Sequence, residues 1–200
     1  MKALILTVAI CLSLFGSAAT LSAASGSPPP ASPSPANPST AERLAPPIAT
    51  FSIVAFDPET GDYGVAVQSR YFAVGAVVPH ASANTGVVAT QARGNLLYGS
   101  QGLALLERGL AADDVINRLL AADPLRAERQ VGVVDSEGRP ASYTGDQCLS
   151  WAGGRTGPHY AVQGNLLAGP QVVDAIATAF EAAPGEFASR LVYALAAGQA

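Results

Sequence analysis

The sequence predicts an α+β fold in which antiparallel sheets are covered by helices, and three observations carry that expectation. From residue 50 onward, short β-rich runs give way to a pair of helical patterns, then to more strands, then to two further helices. Hydrophobic residues make up 49% of the 200-residue chain and charged residues 13%, which supplies one core of ordinary domain size. The run at residues 85–92 is apolar on both faces, so it needs cover on both sides.

Residues 1–49 stand outside that core. Met1 and Lys2 open with positive charge, residues 3–15 are mostly apolar and small residues follow, the layout of a secretory signal peptide over residues 1–24. The apolar run falls short of the roughly 20 residues of a spanning helix, and Ser22-Ala23-Ala24 or Ser17-Ala18-Ala19 would suit a signal peptidase. Residues 25–49 hold eight of the fifteen prolines and two charges, so they read as a Pro-rich tether or propeptide. These segments imply a secreted or periplasmic protein with no membrane attachment in its mature form; an uncleaved anchor is the alternative.

The folded unit, residues 50–200, begins with a hairpin: residues 50–56 and 63–69 are β-rich, and Asp57-Pro58-Glu59-Thr60-Gly61-Asp62 between them is turn chemistry. A third extended piece is expected at residues 73–78, stopped by Pro79, and a fourth at 85–92. Ser100 is a candidate cap for a helix ending at Gly109. A second helix at 111–122 gathers Val115, Ile116, Leu119 and Leu120 on one face before Asp123-Pro124 closes it. Residues 130–135 and 139–144 flank the turn Asp135-Ser136-Glu137-Gly138 as another hairpin, and 160–165 is a short strand. Helices at 171–181 and 186–197, broken at Pro184-Gly185, end the chain.

Eleven basic and fifteen acidic residues give a formal charge of −4, no footprint for nucleic acid or anionic lipid. His80 and His159 lack neighbouring ligands, so no metal site is expected, and without a P-loop or Rossmann glycine pattern no cofactor is. Lysine is absent after Lys2, which removes amine catalysis by side chains from the folded unit. Cys148, the one thiol left if Cys11 departs with the leader, lies in a polar glycine-bounded loop and reads as a buried cysteine rather than a nucleophile.

Thr50 stands at a special place. Were the Ala49–Thr50 bond cut, its hydroxyl would share a residue with a free α-amine, whose pKa of about 7.7 to 8.0 suits a general base. Nucleophile and base would then need no second residue. The plain alternative is a β-branched residue starting a strand.

The ordered runs Thr50-Phe51-Ser52-Ile53-Val54-Ala55, Asp57-Pro58-Glu59-Thr60-Gly61, Tyr63-Gly64-Val65-Ala66-Val67, Val88-Ala89-Thr90-Gln91-Ala92, Trp151-Ala152-Gly153 and Gln163-Gly164-Asn165 resemble the bacterial domain-of-unknown-function 1028 family. The resemblance extends from Thr50 to the C-terminus. It implies a four-layer α/β/β/α sandwich of the N-terminal-nucleophile (Ntn) hydrolase type, in which the first residue of the first strand attacks an amide. It therefore implies a hydrolase of a small amide or peptide-like substrate, with Thr50 as nucleophile after an autoproteolytic cut.

Three departures from the pattern matter. Family members usually begin Met-Thr-Phe-Ser, whereas Thr50 here lies behind a leader and tether. Where proteasome-like relatives place an acid and a lysine, this chain has Ser69-Arg70 and no lysine. Ser69 is accordingly expected to hydrogen-bond the amine, with Arg70 or Arg93 supplying positive charge. The family also continues past a stretch like Gly198-Gln199-Ala200 into another strand, so an unpaired sheet edge and association into a homo-oligomer are expected. For oxyanion stabilisation and substrate binding the candidates are Gln91, Asn95, Gln163 and Asn165, whose neutral amides donate without a buried charge; tying down turns is their alternative role. Tyr98 and Trp151 are read as core or pocket wall. The rival functions are a non-catalytic secreted ligand-binding domain and a thiol enzyme at Cys148.

Overall fold

The computed structural model describes residues 6–10 and 48–199. The expected opening hairpin forms from β2 (Thr50–Asp57) and β3 (Asp62–Ser69). Its turn closes as the Asp57 carbonyl accepts the Gly61 N–H at 2.8 Å, while the Asp57 carboxylate accepts the Glu59 N–H at 3.0 Å. Gly61 takes φ 79°, a conformation that costs a residue without a Cβ little. β2 also pairs antiparallel with β9 (Tyr160–Asn165), and β9 with β8 (Gly153–Gly157). β1 (Leu6–Ile10) lies parallel to β3 and completes a five-stranded sheet in the order β1-β3-β2-β9-β8.

The second sheet is antiparallel throughout, in the order β4 (Pro79–Ser82), β5 (Gly86–Ala92), β6 (Arg129–Val134), β7 (Pro140–Thr144). Period-two alternation sends every other side chain to each face, and three apolar clusters result. Phe51, Ile53, Tyr160 and Val162 meet α4 (Pro170–Ala182) and α5 (Phe187–Gln199) on the outer face of the first sheet. Val88, Val131 and Val133 meet α2 (Leu97–Glu107) and α3 (Ala112–Ala121) on the outer face of the second. Val54, Val65, Val67, Val87, Ala89, Val134 and Ala161 fill the space between the sheets. The chain is thus a mixed α+β protein whose sheets, antiparallel except at β1, are each covered by a helix pair.

Two local expectations need correction, and one strand was not expected. Residues 73–78 are not extended: Val74–Val77 forms a short helix, α1, entered through Ala73 at φ 58° and closed by the Val78 N–H on the Val74 carbonyl at 3.0 Å. Extension begins at Pro79, whose missing N–H is tolerated because it opens an edge strand. The helix expected to be capped by Ser100, α2, starts at Leu97: Asn95 accepts the Leu97 N–H on its side chain at 3.1 Å and the Tyr98 N–H on its carbonyl at 2.9 Å. The third difference is β8, which its three glycines hide from strand propensity.

Within the stretch read as a leader, Leu6–Ile10 is the strand on the outer edge of β3; the rest of it, and the stretch read as a tether up to residue 47, lie outside the described residues. Among the described residues no helix is long and apolar enough to cross a membrane.

Candidate functional site

Alternation fixes what faces the gap between the sheets. Along β2 the inward positions are Thr50, Ser52 and Val54, so the stripe turns from hydroxyl to apolar within five residues. Thr50 is register partner to Ser69 on one side and to Asn165 on the other, and Ser52 is partner to Gln163. In the facing sheet Gln91 lies opposite Gln130. The inward stripes of five strands therefore bring hydroxyls and amides to one end of the gap.

These groups bond to one another and are buried. Thr50 Oγ1 and Ser69 Oγ share a hydrogen bond of 2.9 Å, in which either can donate, and Ser69 Oγ accepts the Tyr71 N–H at 3.0 Å. Ser52 Oγ donates to Gln91 Oε1 at 2.6 Å and accepts from Gln163 Nε2 at 2.7 Å. Gln91 Nε2 donates to Gln130 Oε1 at 2.8 Å and to the Gln163 carbonyl at 3.3 Å, which uses both of its hydrogens. Gln130, fully buried, directs its two Nε2 hydrogens at three acceptors, Thr144 Oγ1 and the carbonyls of Gly153 and Gly164, one hydrogen being shared, and accepts from Asn165 Nδ2 at 3.1 Å. A second Asn165 amide hydrogen stays outside this network.

Beside this polar end opens a cavity of about 630 Å³, the size of a small-molecule site. Thr50, Gln91 and Asn165 line it, with Val74, Val77 and Val78 from the α1 segment, and Cys148 and Leu149 from the loop after β7. Ala92 (φ 66°) and Leu166 (φ 56°), the residues that follow Gln91 and Asn165, are also in its wall. Each holds a left-handed backbone that costs a non-glycine residue about 1–3 kcal/mol, and such strain concentrates at working sites. Burial pushes the Cys148 thiol above its ordinary pKa, while its Sγ donates to the Arg129 carbonyl at 3.3 Å. The thiol is accordingly protonated at neutral pH.

The remaining candidates sort by position. Arg93 lines the cavity and pairs with Glu128 at 2.8 Å, with its side chain 64% exposed, and Arg70 is exposed outside the wall. Gln163 is buried behind the cavity, its Oε1 without a hydrogen-bond partner, above Gly132, where a Cβ would come within 2.2 Å of it. Asn95 does not reach the cavity: its Nδ2 donates to Asp123 Oδ2 at 3.2 Å. The same carboxylate accepts from Tyr98 Oη at 2.9 Å and from Arg129 Nε at 2.8 Å. Arg129 beside it holds the Asp123 carboxyl well below the usual range, while burial and that carboxylate raise the Tyr98 phenol. Trp151 packs against the α4–α5 cluster. His80 lays its ring against Gly99, and His159 bonds the Gly138 carbonyl.

The profile of a family of unknown function, DUF1028, matches residues 50–200. The chain belongs to the DUF1028 family. A crystal structure of the DUF1028 protein SPO2555 from Silicibacter pomeroyi is similar to it, with 34% identity and a TM-score of 0.74 over 76% of this chain and 70% of that one. No curated protein matches the chain. The DUF1028 match spans every cavity residue named above, and Ile48, also in the cavity wall, precedes it.

Reasoning from the sequence missed Gln130, Ser52 and the place of Cys148. Gln130 and Ser52 were within reach of parity: Gln130 shares the inward face of the 130–135 strand with Gly132 and Val134, and Ser52 shares that of its strand with Thr50, a residue already singled out. Cys148 had no such signal, because a loop carries no period.

Proposed function

We propose that this DUF1028 protein is an exported amide hydrolase of the N-terminal-nucleophile type, built on a four-layer α/β/β/α sandwich, with Thr50 as nucleophile. The observation that carries the proposal is the position of Thr50: first residue of a central strand, hydrogen-bonded to Ser69, and on the wall of the cavity beside Asn165. Strand order and helix cover agree with that architecture, and the leader supports export.

Activation begins within the chain. Thr50 Oγ adds to the Ala49 carbonyl carbon, the C–N bond breaks, and the resulting ester is hydrolysed by water, which leaves Ala49 as a carboxylate and Thr50 with a free α-amine. In turnover the amine takes the hydroxyl proton as Oγ attacks a substrate amide and returns it to the departing amine; water then releases the acyl group and restores the hydroxyl. Asn165, with an amide hydrogen beyond its bond to Gln130, is the neutral donor placed to meet the oxyanion. Gln91 acts one step back, since both its hydrogens hold the scaffold. Ser69 orients the hydroxyl.

N-terminal sequencing and intact mass of the exported protein test the proposal. A chain starting at Thr50 is expected, with Thr50→Ser cleaving slowly. Thr50→Ala should keep the Ala49–Thr50 bond and lose amide turnover by roughly 10³-fold or more. An active enzyme with that bond intact overturns the mechanism. One observation favours a second reading, a ligand-binding domain without catalysis: Ile48, on the uncut chain, lines the cavity itself. Ligand affinity indifferent to Thr50→Ala, with no amide turned over, selects it.

A further inference from the structure

The mouth of the cavity is apolar to a degree that a soluble surface does not require. Ile48, Tyr71, Leu96 and Leu149 line it while 48–65% exposed, and Phe72, 89% exposed, directly follows Tyr71. Exposed apolar side chains scattered singly need no explanation, but a cluster around one concavity marks a binding surface. Charge gives no counterweight, because Arg93 and Glu128, the charged residues of the wall, satisfy each other at 2.8 Å. An ionised substrate side chain entering here would lose hydration and meet no unpaired opposite charge among the side chains of the wall.

The chain itself shows how the place is filled. Ile48 stands two residues before Thr50 and forms part of the wall, on what becomes the acyl side of the cleaved bond. Once Ile48 leaves, the apolar surface beside it is open to the next acyl group. We infer that the site takes amides whose acyl half is uncharged and apolar, with the side chain second from the scissile carbonyl seated where Ile48 sits; this rests on the Thr50 mechanism proposed above.

The test compares hydrolysis of acetyl-Ile-Ala, acetyl-Asp-Ala and acetyl-Lys-Ala aminomethylcoumarin by the exported protein. The isoleucine substrate should exceed both charged ones by roughly tenfold or more in kcat/KM. Equal rates overturn the inference and leave the hydrolase standing. If no peptide is cleaved, N-terminal sequencing decides the hydrolase, and the apolar site is read separately with the neutral dye N-phenyl-1-naphthylamine. Leu149→Asp and Leu96→Asp, both at exposed positions, should weaken dye binding roughly tenfold; unchanged affinity overturns the inference. So does a Leu149→Asp that converts a dimer to a monomer in sedimentation without altering dye affinity, since the rim then belongs to a second copy.

Discussion

The two ends of the gap between the sheets are made from the same strands in the same register, yet their chemistry is opposite. At one end Val54, Val65, Val67, Val87 and Val134 exclude water; at the other Thr50, Ser52, Gln91, Gln130, Gln163 and Asn165 exchange hydrogen bonds. Burying a valine side chain stabilises by roughly 1.5–3 kcal/mol, whereas a buried neutral hydrogen bond nets only about 0.5–1.5 kcal/mol. Stability alone favours apolar residues throughout the gap. What the polar end gains is position: Asn165 is held by Gln130, Gln130 is gripped by three acceptors, and two left-handed residues lock the strand ends beside them. The apolar end anchors the sheets so that the polar end can be aimed.

The largest test removes the hub. Gln130→Leu removes the acceptor of the Asn165 amide, the acceptor of one Gln91 amide hydrogen and a donor to the Gly164 carbonyl, at about 1–3 kcal/mol for each orphaned group. A loss of at least about 3 kcal/mol in urea unfolding is expected, together with lost turnover. Val134→Ala, at the far end of the same inward stripe, should cost about 1–3 kcal/mol and leave turnover unaffected. Equal functional loss from both would erase the distinction between the ends.

How much of this contrast the sequence shows depends on how local its signals are. β-rich runs around turn residues at 50–56 and 63–69, the run apolar on both faces at 85–92 and the short run at 160–165 are legible as four strands, because strand propensity and turn chemistry are local signals. Helices at 111–122 and 171–181 were legible from their apolar faces. Residues 73–78 misled because Ala-Val-Gly-Ala-Val-Val has strand propensity, while the left-handed Ala73 and tertiary contacts of Val74 and Val78 set the helix. At the site, Thr50, Ser69, Gln91 and Asn165 were named and do converge. Asn95 was named for its amide chemistry, but the Asp123–Arg129 pair claims it. Such a pairing across separate loops leaves no local trace in sequence.

A smaller test addresses the border between the ends. Gly132 separates Gln130 from Val134 on β6 and makes room for the Gln163 amide. Gly132→Ala puts a methyl group within 2.2 Å of the buried Gln163 Oε1, so the amide must shift, and should destabilise by about 1–3 kcal/mol. Loss of turnover beyond what the fold loses, read as kcat per folded molecule, would show that Gln163 transmits the strain through Ser52 to Gln91.

Acid distinguishes the neutral network from its charged neighbour. Asp123 titrates below its ordinary 3.8 in the fold, chiefly through Arg129, so the unfolded chain binds this proton first. The stability it contributes is present above that ordinary pKa and lost as pH falls through the folded value. The urea midpoint should therefore hold at neutral pH and drop below about pH 4, with Asp123→Asn removing part of the drop and lowering the midpoint at neutral pH. The amides do not titrate, so Gln130→Leu should lower the curve without changing its shape.

The smallest effect concerns the cavity wall. Because burial raises the Cys148 thiol, iodoacetamide should modify the folded protein at pH 7.5 at least about tenfold more slowly than the unfolded chain, and the rate should climb with pH beyond 9. Proton loss from this thiol is easier in the unfolded chain than in the fold, so its contribution to stability is present below the ordinary value and fades as pH rises through the folded one. Fast modification at neutral pH would mean a thiolate in the cavity. The attacking atom would then be sulfur, and the contrast between the two ends of the gap would no longer identify Thr50 as the reacting residue.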